Sequence, residues 1–119
     1  MPITIDIRDG YAVEGSTAKV TIALEDEDGQ AATPNSITWT LTDGSGAVIN
    51  NKEDVAIETP SELMTVRLYD DDLAIQAGES GSFVKRLFTI KAVYSSDLGS
   101  GNTLNDELEF SLKNLTAIT

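Results

Sequence analysis

The chain is predicted to fold as an all-β, two-sheet antiparallel sandwich, and three observations predict it. Apolar and polar residues alternate with a period of two in one run after another. Clusters rich in Gly, Asp and Asn separate those runs at short intervals. Almost nothing carries the 3.6-residue period of an amphipathic helix. At 119 residues, 40% hydrophobic and 24% charged, the chain suits one globular domain spanning 1–119. A domain of this size buries roughly two-thirds of the surface its unfolded chain exposes, so one core suffices. No linker, internal repeat or low-complexity segment divides it.

About seven strands are predicted. The N-terminal ITIDI puts Ile3, Ile5 and Ile7 on one face. In AKVTIALED, Val20, Ile22 and Leu24 alternate with Lys19, Thr21 and Ala23. SITWTLT sets Ile37, Trp39 and Leu41 against Ser36, Thr38, Thr40 and Thr42. A short strand follows around Val55 and Ile57, then ELMTVRLYD with Met64, Val66 and Leu68 inward. In RLFTIKAVY the inward row is Phe88, Ile90, Ala92 and Tyr94; Leu87 and Val93 make the second face apolar at its ends, consistent with cover on both sides. The last strand, DELEFSLKN, turns Leu108, Phe110 and Leu112 inward and a charged row of Glu107, Glu109 and Lys113 outward. Turns are predicted at Glu14–Ser16, Asp28-Gly29, Thr33–Asn35, Asp43–Gly46, Ala77–Gly81 and Gly99–Asn102, where Gly supplies positive φ and Asp or Asn bonds nearby backbone. Only DDDLAIQ, residues 70–76, reads as a short helical turn, with Asp70 or Asp71 capping its free N–H groups.

Trp39 lies on the third predicted strand. It resembles the buried aromatic that immunoglobulin-like sandwiches place on their strand C. The predicted fold is therefore an immunoglobulin-like antiparallel β-sandwich. The chain has no cysteine for the B–F disulfide and no tyrosine placed for a tyrosine corner, which excludes an antibody-type domain.

Composition excludes several functions. Eight Lys and Arg against twenty Asp and Glu give a net charge of −12, and Lys85-Arg86 is the only adjacent basic pair. Such a surface repels nucleic acid and anionic membrane, whose binding needs concentrated positive charge. No run approaches the ~18 apolar residues of a membrane span. MPITIDIRDG lacks the basic-then-apolar pattern of a secretion signal, so a soluble protein is expected. Histidine and cysteine are both absent. That removes the usual general base, the common nucleophile pairs and the main transition-metal ligands. No G-x-S-x-G elbow and no nucleotide-binding glycine loop occurs. The expectation is a non-enzyme with no cofactor and no catalytic, cofactor-binding or metal site.

Two acidic clusters bear on that expectation. Glu25-Asp26-Glu27-Asp28-Gly29 resembles a calcium loop, but placing Gly29 at the sixth EF-hand position puts Leu24 first and Asn35 twelfth, where carboxylates are required. A solvated Asp-Gly turn is the expected state. Asp70-Asp71-Asp72 is expected at the opposite end of the sandwich, so one ion cannot use both clusters. Asn114-Leu115-Thr116 fits a glycosylation acceptor, a three-residue pattern that arises by chance.

The stretches DGYAVEGSTAKVTIALEDEDGQAATPNSITWTLTDGSGAVIN, DDDLAIQAGESG and AVYSSDLGSGNTLNDELEFSLKNLTAI together resemble small proteins encoded among the head and tail genes of tailed bacteriophages and prophages. The resemblance implies an immunoglobulin-like structural or assembly protein of the virion. Its partners would be other virion proteins or a second copy, and its location the host cytoplasm during assembly and then the particle. The charged last strand and the polar loop SSDLGSGNT, residues 95–103, are the expected contact surfaces. Two alternatives are a carbohydrate- or surface-binding module, for which aromatics are scarce, and a calcium-dependent adhesion domain, which needs the acidic loops to hold metal.

Overall fold

A computed structural model describes residues 3–7 and 10–115. Each alternating run becomes a strand because a period of two lets one pleated face meet water and the other an apolar layer. Eight strands form: β1 Ile3–Ile7, β2 Tyr11–Val13, β3 Thr17–Leu24, β4 Ser36–Asp43, β5 Val55–Ala56, β6 Leu63–Tyr69, β7 Phe83–Ser96 and β8 Gly99–Lys113. They build a three-stranded sheet in the order β1-β3-β6 and a five-stranded sheet in the order β2-β8-β7-β4-β5. The two sheets share one buried apolar cluster, which makes the domain an all-β sandwich.

All seven predicted strands are present, and β2 is the addition. Its three residues carry too short a pattern to read from sequence. The first strand region splits: β1 pairs antiparallel with β3, whereas β2 has moved to the other sheet and pairs parallel with β8, Tyr11 opposite Ser111 and Val13 opposite Lys113. Glu14 secures this crossing. Its N–H donates to the Lys113 carbonyl at 3.0 Å, and its almost fully buried carboxylate accepts from the Leu115 amide at 2.9 Å.

Trp39 sits in the core as predicted, 6% exposed. It lies in the inner row of β4 with Ile37 and Leu41, facing Ala92, Ile90 and Phe88 of β7 across the ladder. Its indole stacks on the Phe88 ring with centroids 5.2 Å apart and planes 18° from parallel. Across the sandwich, Val20, Ile22 and Leu24 of β3 and Met64, Val66 and Leu68 of β6 supply the other wall of the same cluster. Leu87 and Val93, on the outer face of β7, are only half-buried, so the expectation of cover on both sides is not met. Their cross-strand neighbours Thr42, Glu109, Ser36 and Thr103 shield them sideways instead.

Two further expectations are corrected. The helical turn is a 3-10 turn over Asp70–Leu73 only, and neither Asp70 nor Asp71 caps it. Asp72 reaches back: its buried carboxylate accepts from the Tyr69 amide at 3.3 Å and from Asn50 Nδ2 at 2.9 Å, with Lys52 Nζ 3.9 Å away. Asp70 itself takes a left-handed φ of 54°, and Tyr69 occupies the N-cap position ahead of it. Secondly, residues 95–103 are not an open loop. β7 runs to Ser96 and β8 starts at Gly99, so the reversal takes only Asp97 and Leu98, and Gly99–Asn102 belongs to the ladder. Gly99 and Gly101, at φ 126° and 76°, are absorbed within the strand and do not make the turn.

The least expected core residue is Arg86. It shares the inward phase of Phe88 and Ile90 and is fully buried. A bidentate pair with Glu79 makes this tolerable, Nη2 to Oε1 at 2.6 Å and Nη1 to Oε2 at 2.7 Å. The Lys85 and Ala74 carbonyls accept further bonds from the guanidinium at 2.9 and 3.1 Å. The 74–79 segment is thereby anchored to β7. Lys85, next in sequence, points outward to Glu109 at 3.4 Å, so the only adjacent basic pair in the chain makes no basic patch.

Replacing Trp39 with Ala is expected to cost about 3–5 kcal/mol and to abolish or nearly abolish the folded state; a native near-UV circular dichroism spectrum with an unchanged melting temperature would contradict this. Arg86 hydrogen bonds hold the Glu79 carboxyl below its ordinary range, against the opposing effect of burial. A folded value below the unfolded one stabilises the fold above the ordinary carboxylate range, and that stabilisation is lost as pH falls through the folded value. Glu79→Gln is therefore expected to lower neutral-pH stability by about 3 kcal/mol, because it strands a buried guanidinium. It should also flatten the acid limb of a melting-temperature profile, which thermal unfolding across acidic pH will check.

Candidate functional site

The antiparallel register of β3 and β6, with Ala23 opposite Leu63 and Thr17 opposite Tyr69, puts the loop after β3 and the turn after β6 at opposite ends of the sandwich. The two acidic clusters are separated as expected.

At the first end, Asp26, Glu27 and Asp28 bring carboxylate oxygens within 4.8 Å of one another. Two of the three are already engaged by the protein. Asp26 Oδ1 accepts the backbone N–H groups of Asp28 and Gln30 at 2.9 and 3.0 Å, closing the Asp-Gly turn predicted there. Glu27 Oε1 accepts from Tyr94 Oη and Ser96 Oγ, both at 3.0 Å, and so ties this loop to the β7–β8 hairpin. Asn35 Nδ2 adds a bond to Ser95 Oγ at 2.8 Å. The carboxylates hold a loop against a hairpin. Burial raises the Tyr94 phenol above its ordinary value, and the hydrogen bond to Glu27 and the charges of Glu27 and Asp26 raise it further.

The hairpin carries Leu98 at its tip, 72% exposed. Below it, β8 is paired with β7 along its whole length, while β2 covers only Ser111–Lys113 on the other side. Among the described residues, no strand pairs with β8 between Gly99 and Phe110 on that second side. Among the described residues, the last strand is thus an edge for most of its length and an interior strand at its C-terminal end. Glu107 and Glu109 lie on its outer face, where Glu107 accepts from Thr89 Oγ1 at 3.4 Å. β1 runs alongside, hydrogen-bonded to β3 in the opposite sheet, and leaves a groove of about 230 Å³ lined by Ile3, Thr4, Ile5, Asp106 and Glu107.

At the opposite end, Asn50, Lys52, Tyr69 and Asp70–Asp72 line a shallow hollow of about 200 Å³. Its innermost carboxylate, Asp72, is spent on the local bonds described above. Asn114 of the glycosylation pattern donates through Nδ2 to the Gly81 carbonyl at 3.1 Å, and Thr116 lies outside the described residues. A sugar platform at Trp39 is ruled out by its burial. Of the exposed aromatics, Tyr11 and Phe83 pack edge to face on each other, centroids 6.1 Å apart, and Tyr69 is covered by the Arg67 guanidinium 4.0 Å from its ring centroid. Among the described residues, no helix is long and apolar enough to cross a membrane.

Compared with known proteins, the chain matches no family model, no curated sequence and no solved structure.

Because the Tyr94 phenol is held above its ordinary value, its contribution to stability is present below about pH 10 and is lost as pH rises through the folded value. Glu27→Gln is expected to move the Tyr94 titration, followed on its ring NMR signals, back toward that ordinary value. Calcium at millimolar concentration is expected to leave the melting temperature unchanged, because Asp26 and Glu27 already accept bonds from their own loop and hairpin; a calcium-dependent rise would restore the adhesion alternative.

Proposed function

We propose that the chain is a non-enzymatic structural or assembly protein of a tailed-phage or prophage particle, working by docking onto neighbouring head, neck or tail subunits. The observation that carries this reading is the open edge of β8, continuous with a hairpin that ends in an exposed leucine. An unpaired strand edge offers N–H and C=O groups to another chain, which is a route to specific contact that needs no catalytic group. The sequence is compatible with the same reading: no histidine or cysteine, a strongly acidic composition that limits indiscriminate association, and a resemblance to small phage head and tail proteins. On this reading the protein is made in the host cytoplasm and ends in the virion, in contact with other virion proteins or with a second copy of itself.

The test is to purify particles and assembly intermediates from cells that encode the chain and to measure its content by mass spectrometry. A fixed stoichiometry in particles or intermediates is expected, with cross-links from the hairpin or β8 to a neighbouring subunit. A chain that stays free throughout assembly would overturn the proposal.

A further inference from the structure

The edge of β8 carries a charge on its inward side. Register places Leu104 opposite Ala92, Asp106 opposite Ile90 and Leu108 opposite Phe88, so Asp106 stands in the apolar inner row between two leucines. Those leucines are only half-buried, because the opposite sheet does not cover this edge fully; both pack against the core, as does Ile5 of β1. Asp106 lines the groove beside β1, and Oδ1 accepts from the adjacent Glu107 amide at 2.8 Å. Among the described residues, no cation pairs with it. The ion pairs of this sheet lie elsewhere: Lys91 with Asp54 at 2.7 Å and Lys85 with Glu109 at 3.4 Å on the outer face, and the buried Arg86 with Glu79 at 2.6 Å in the inner row of β7.

An acid in the inner row of an edge discourages casual strand pairing and at the same time specifies what can pair. A second copy of this chain, pairing edge to edge, would bring the stretch that holds Asp106, Glu107 and Glu109 alongside its own acidic duplicate, an approach of like charges that is repulsive. A strand with a lysine or arginine opposite Asp106 and apolar residues two positions to either side would complete the inner row and neutralise the carboxylate. We propose that the open edge of β8 takes an extended, lysine- or arginine-bearing segment of a partner protein as an added strand, with its cation paired to Asp106 in the groove beside β1. This rests on the docking reading above and specifies the partner's chemistry.

The probe is the peptide acetyl-Thr-Val-Thr-Lys-Thr-Val-Thr-amide, whose valines and lysine share one face of a strand. It is titrated into the isotope-labelled chain and followed by amide NMR. Saturable shifts are expected, confined to the β8 edge between Gly101 and Phe110 and the facing residues of β1. The same peptide with Glu in place of Lys, and the Asp106→Asn variant with the Lys peptide, are each expected to bind at least tenfold more weakly. Asp106→Asn changes only one unit of a net charge of −12, so diffuse attraction of a cation to an acidic protein would survive it. Shifts scattered over the acidic surface, or an affinity unchanged by Asp106→Asn, would overturn the assignment. So would an Asp106→Asn chain that self-associates yet keeps its peptide affinity, since Asp106 would then serve only to keep other edges away. The Trp39 near-UV signal reports that the variant is folded. If the Lys peptide fails to bind while the wild-type chain still enters particles, the edge assignment falls and the docking reading stands. Edge-confined, Asp106-dependent binding by a chain absent from particles supports the edge and removes the virion reading.

Discussion

The stacking of Trp39 on Phe88 organises the sandwich. The two rings come from adjacent strands of one sheet, diagonal across the β4–β7 ladder, and both are buried in the core that the five-stranded sheet shares with its partner. With no cysteine to bridge the layers, they are held together chiefly by apolar packing. The β3 and β6 rows must therefore keep their phase, because a slip of one residue would turn Val20, Ile22 and Leu24 to water. Each buried side chain of that size contributes about 1.5–3 kcal/mol, and it does so only while both layers are in register.

Where the apolar layer thins, polar bonds close the structure. Arg86 with Glu79 at one end, Glu27 with Tyr94 at the other, and Glu14 at the crossing of the first strand region each tie a loop or terminus to a strand. Several of the acids that give the chain its charge are thus structural. The acidic loops resemble metal sites in composition, yet Asp26 and Glu27 at one end and Asp72 at the other are committed to neighbouring donors. What remains open is the side of the sandwich, where β8 outruns the short β2 and Asp106 faces a groove. The proposed contact with a partner falls there because, among the described residues, an unpaired stretch of backbone and an inner-row carboxylate occur together at that place.

Strand identity, the burial of Trp39 and the separation of the acidic clusters were legible in the sequence, since each follows from local alternation or from chain order. The hairpin at 95–103 was misread because Gly, Ser and Asn favour a turn locally, while the cross-strand ladder from Val93–Thr103 to Ser96–Gly99 outweighs that preference. Arg86 was missed for a related reason. In RLFTIKAVY its phase marks it as inward, but a charge in that row is admissible only with a partner, and Glu79 comes from a loop whose path the sequence does not reveal. The candidate edge was half visible: the charged outer row was read, whereas Asp106 inside it was passed over as one more acid.

By itself, then, the sequence determined what short-range chemistry controls: which runs become strands, which face each buries, and that no histidine or cysteine chemistry is available. Tertiary structure decided everything that depends on residues distant in the chain. It split the first strand between two sheets, chose Asp72 over its neighbours to close the 3-10 turn, paired Arg86 with Glu79, and, among the described residues, left β8 from Gly99 to Phe110 with β7 as its one strand partner. The physical reason is that alternation specifies a face but not a neighbour, and strand neighbours are selected by the joint packing of both layers.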